Sequence, residues 1–263
     1  MAASYRHVDS EVFHVTERQQ IIPVSSYPIL DVSKYDVSKK IKDLGKDICW
    51  ETVKEVVIKE IPIYGKIFSV IDNINSKKQI ENIIKGLQYI WKNFEMLNEE
   101  LNDKLDKEFV SEDNLEFVLL AKRVFEDITK QYKEEKIRYL ANFIANSSTK
   151  EYSKTHHKEG ILDKITRYSV EHVLILKFFC DSNIFEENSD LEKRRENLKE
   201  NSVDIDTLQV DGLNKDIIRV CVRDLESDGF IDEIAGGYWG NNGGKYYLTN
   251  YGLTCIKLLE DIE

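Results

Sequence analysis

The stretch Asn214-Lys215-Asp216-Ile217-Ile218-Arg219-Val220-Cys221-Val222-Arg223-Asp224-Leu225-Glu226-Ser227-Asp228-Gly229-Phe230-Ile231 decides how the C-terminal third of the 263-residue chain folds. Ile217, Ile218, Cys221, Val222 and Leu225 recur at helical spacing. Asn214 is placed to cap the helix start and Gly229 to end it. Residues 230–234 and 245–249 read as strands. Between them, 235–244 read as a glycine-rich hairpin carrying Tyr238, Trp239, Asn241 and Asn242. Working outward, 203–210 read as a short helix, 170–179 as a strongly apolar helix, and 253–259 as a closing amphipathic helix. The charge-dense 186–201 read as a linker or an exposed helical loop.

Upstream the pattern changes. All three prolines fall at Pro23, Pro28 and Pro62, and seven of the twelve glycines lie in the last 35 residues. Residues 1–33 mix β-branched residues with Pro and Ser and predict an extended arm. From Lys34 the period is helical, broken near Ile61-Pro62-Ile63-Tyr64-Gly65. A long stripe, Ile80, Ile83, Ile84, Leu87, Ile90, Trp91, Phe94, Leu97, Leu101 and Leu105, predicts one helix over 77–109. A second helix is expected from an N-cap at Ser111, with Leu115, Val118, Leu119, Phe125, Ile128 and Tyr132 inward. A third carries Ile137, Leu140, Ala141 and Ile144. The fold class expected is mainly α: an extended arm (1–33), a helical bundle (34–168) and a C-terminal domain with a small β-hairpin (169–263).

Helix, short helix, helix, strand, glycine-rich loop, strand, helix resembles the winged helix-turn-helix family. Residues 217–231 are similar to its third helix running into the first wing strand. Tyr247-Leu248-Thr249-Asn250-Tyr251-Gly252 is similar to the close of many wings. A weaker likeness covers the whole chain. Ile61-Pro62-Ile63-Tyr64-Gly65 ahead of a long charged helix, then Glu135-Lys136-Ile137-Arg138-Tyr139-Leu140-Ala141-Asn142-Phe143-Ile144-Ala145-Asn146, resembles Abi-alpha-type bacterial and phage-associated proteins. That resemblance implies a setting in abortive infection or other phage defence and transfers no catalytic residue.

In DNA-binding winged helices the third helix enters the major groove. Here Lys215, Arg219 and Arg223 share one face at i, i+4 and i+8, and the wing adds Tyr238, Trp239, Asn241, Asn242 and Lys245. These eight residues form the candidate DNA- or partner-binding set. The opposing reading is that Asp216, Asp224, Glu226 and Asp228 neutralise the three cations in ion pairs. Residues 203–263 hold five Lys or Arg against twelve Asp or Glu, a net of −7 within a chain of −11. Such a domain lacks the cationic footprint that phosphate binding requires.

Cys180, Cys221 and Cys255 sit among apolar neighbours and read as core packing, and Cys49 stands alone. His156, His157 and His172 lack ligand spacing and read as solvated residues near a turn. No metal site, phosphate loop or nucleophile elbow is found, so neither a cofactor nor an enzyme is expected. Absence of a signal-like N-terminus and of paired cysteines predicts a cytoplasmic setting. Residues 49–74, apolar with interspersed lysines, also fit a helix lying on a membrane, though burial in the bundle fits better. The expected function is non-enzymatic recognition: a bundle that senses or oligomerises, coupled to a winged helix that docks a protein partner. The alternatives are a sequence-specific regulator on duplex DNA and a membrane-perturbing effector.

Overall fold

The computed structural model describes residues 74, 76–99, 104–111, 113–182, 202–234 and 244–262. The expected arm, the 61–65 break, the 49–73 run, the 186–201 segment and the hairpin tip at 235–243 lie outside them. The described residues are mainly helical, with seven helices and one three-stranded antiparallel sheet. In chain order these are α1 (Lys77–Glu99), α2 (Leu115–Thr129), α3 (Glu134–Ser147), α4 (Lys158–Arg167), α5 (Val170–Ser182), β1 (Val203–Asp204), α6 (Lys215–Ser227), β2 (Ile231–Glu233), β3 (Lys245–Leu248) and α7 (Asn250–Leu259).

α1 opens with a reciprocal cap: the Gln79 N–H donates to Ser76 Oγ at 3.2 Å, and the Ser76 N–H donates to Gln79 Oε1 at 3.1 Å. It buries Ile83, Leu87, Ile90, Trp91, Phe94 and Leu97. The helix spans 23 residues, about 35 Å, and does not reach Phe109 as the stripe predicts. Leu105 instead bridges to Thr149 in extended conformation, and Phe109 lies in a turn. α1 runs parallel to α3, since Lys85 and Tyr89 bond Glu134 while Asn93 bonds Asn142.

α2 departs further from expectation. Its cap is Asn114, whose side chain accepts from the Phe117 N–H, rather than Ser111. Its buried stripe is Phe117, Leu120, Ala121, Val124, Phe125 and Ile128. Leu115 and Leu119 are 68% and 49% exposed, and Tyr132 is almost wholly exposed. The sequence carries two apolar stripes, and the charged positions Lys122, Arg123 and Glu126 decide which one faces water.

α3 is the central element, buried on nearly every side and packed against α1, α2 and α7. Asn142 and Asn146, one turn apart on α3, donate to the carbonyls of Leu259, Leu258 and Glu260. They satisfy the orphan carbonyls at the end of α7 and tie the last helix to the bundle.

The sheet order is β1-β3-β2, with Ile231 opposite Leu248 and Val203 opposite Tyr246. The short helix expected over 203–210 is replaced by β1 and a turn. Asp204 accepts the Asp206 N–H on its carboxylate at 2.9 Å and the Thr207 N–H on its carbonyl at 3.1 Å, a local alternative to helix bonding. α7 begins at the Thr249 cap, whose hydroxyl accepts the Gly252 N–H at 3.0 Å. Gly252 itself lies against strand backbone: a Cβ added there would stand 2.1 Å from the Phe230 carbonyl oxygen.

Candidate functional site

Ile218, Cys221, Val222 and Leu225 turn α6 inward, so its polar residues divide between two edges. One edge faces the corner between α4 and α5. The other faces solvent.

At the corner the Tyr168 hydroxyl donates to Asp228 Oδ2 at 2.5 Å, and His172 Nε2 lies 3.1 Å from Asp224 Oδ2. The Tyr168 and His172 rings stack at 4.6 Å. The Ser169 N–H donates to His172 Nδ1 at 3.3 Å, and His172 Nε2 faces Asp224. Ser169, His172 and Asp224 thus line up in the order of a hydrolytic triad, but a serine four-residue capping motif at the start of α5 accounts for the arrangement. Lys164 donates to the Asp228 carbonyl and lies over the rings of Phe230 and Tyr251, which stack at 4.9 Å. Beneath the corner, Lys136 of α3 is 3% exposed and donates to the carbonyls of Ile165 and Tyr168. Burial pulls its ammonium down to about 8, and burial together with the Asp228 bond pushes the Tyr168 phenol up.

His172 is therefore not a solvated turn residue. Its side chain is 12% exposed and joins two helices. Two of the four acids expected to neutralise the α6 cations are placed otherwise: Asp224 serves His172, and Asp228 serves Tyr168, Lys164 and Arg167. A signal for this was present in Ser169-x-x-His172, a capping pattern at a helix start.

The solvent edge carries the expected cations. Arg219 pairs with Asp206 at 3.1 Å, and Lys215 donates to the Asp206 carbonyl at 3.1 Å, so the acid that organises them comes from the turn after β1. Arg223 is exposed, within electrostatic reach of Glu226 and Tyr246. Beside them Ile217 and Val220 are 40% and 57% exposed. Burial and the neighbouring Glu233 and Asp232 push the Glu226 carboxyl up, marking a concentration of negative charge at the foot of the hairpin. Lys245 opens β3 opposite Asp204 and is half-buried. Tyr238, Trp239, Asn241 and Asn242 lie outside the described residues.

Cys221 and Cys255 are buried, and burial pushes both thiols up, Cys221 to about 11. Cys180 is half-buried. Among the described residues no cluster of His, Cys, Asp and Glu is arranged to hold a metal, and no helix is long and apolar enough to cross a membrane. No family model, curated protein or solved structure matches the chain.

Proposed function

We propose that the chain is a non-enzymatic recognition protein whose C-terminal part is a winged-helix module docking a protein partner through the solvent edge of α6. The observation that carries this reading is the exposure of Ile217 and Val220 beside Lys215, Arg219 and Arg223. Apolar side chains held in water on a helix otherwise fixed to the fold favour a protein surface. The β1-β3-β2 sheet and the placement of α6 directly before the β2–β3 hairpin support the winged-helix assignment. Asp206, Glu226, Asp232 and Glu233 around the cations argue against a DNA backbone, because phosphate binding depends on net positive charge at the contact. The Abi-alpha resemblance supports a setting in phage defence, and the unpaired cysteines among the described residues support a cytoplasmic one.

Binding of the full chain to a random duplex DNA pool at low and at physiological salt tests the reading. The expected result is no sequence selection and no retention at physiological salt. Selection of a sequence by the wild type, lost on Arg219→Glu plus Arg223→Glu, would replace partner docking with a DNA-binding regulator. Leakage of anionic liposomes by the full chain would instead favour a membrane effector built around 49–74.

A further inference from the structure

We draw no further inference here: the strongest candidate, the exposed apolar face that Leu115 and Leu119 form at the start of α2, is an unpartnered surface patch shared with Lys122 and Arg123, and nothing in the structure shows what covers it.

Discussion

The two edges of α6 hold similar residue types and differ in what those residues contribute. At the corner, Asp228 is mostly covered and meets a buried phenol and a lysine lying over aromatic rings, while Asp224, itself half exposed, bonds the imidazole of His172. On the solvent edge, Arg219 and Asp206 form an ion pair of ordinary length with both partners more than half exposed. Carboxylate bonds shielded from water retain their strength, while exposed pairs are offset by hydration and side-chain entropy. The corner therefore fixes where α6 sits, and the solvent edge is free to be used for binding.

The most severe way to break the fixed side is at Gly252. A methyl group there meets the Phe230 backbone, which cannot swing aside as a side chain would. Gly252→Ala is expected to cost more than about 4 kcal/mol, or to abolish cooperative unfolding, as followed by circular dichroism on heating. Lys136→Ala comes next. It empties a buried volume and leaves the Tyr168 carbonyl without its side-chain donor, for an expected loss of about 2–4 kcal/mol in denaturant titration.

The same lysine gives the corner a pH signature. Its folded-state value of about 8 lies below the ordinary 10.5, so between these values the unfolded chain binds more protons at this group and its contribution to stability rises with pH. The gain from this group is about 2 kcal/mol between pH 8 and pH 10. Above about pH 9 the net sign reverses, because burial raises the Cys221 and Cys255 thiols and, at higher pH, the Tyr168 and Tyr152 phenols in the folded chain, while the unfolded chain ionises them first. Lys136→Met should remove the rise below about pH 9 and steepen the fall above it. An unchanged rise in that variant would show that another group carries the dependence.

Tyr168→Phe removes one hydroxyl and keeps the ring stack. Asp228 retains Lys164 and Arg167 as partners, so the expected loss is about 1–2 kcal/mol. Hydrogen exchange should show the effect concentrated in α6 and the α4–α5 corner rather than in α1.

Legibility in the sequence follows the same division. The cap at Asn214, the turn at Gly229 and the Thr249–Gly252 close were all readable, because each rests on bonds between residues a few positions apart. Cys221, Val222 and Leu225 likewise face inward as their spacing predicts. The α2 expectation fails because its leucines offer two stripes, and Lys122, Arg123 and Glu126, which share the face of Leu115 and Leu119, carry the signal that turns that stripe to water. The corner was unreadable as a site: Tyr168, His172, Asp224 and Asp228 are brought together by tertiary contacts across more than fifty positions. Lys215, Arg219 and Arg223 are all exposed on α6, but the organiser of the first two, Asp206, lies in a turn where propensity predicts a helix.

The smallest expected effect on stability is at Arg219, and it is the one that separates the two edges most cleanly. Its guanidinium is half exposed and its partner more so, which limits the pair to a few tenths of a kcal/mol. Arg219→Ala should therefore unfold within about 0.5 kcal/mol of wild type in denaturant titration. If the solvent edge is a docking surface, the same substitution should weaken partner binding or self-association several-fold at low salt, with the deficit shrinking as salt screens the contact. A large loss of stability would place Arg219 with the corner residues as part of the fold's support. Unchanged stability together with unchanged association at every salt concentration would remove it from the docking edge, leaving Ile217 and Val220 to carry that surface alone.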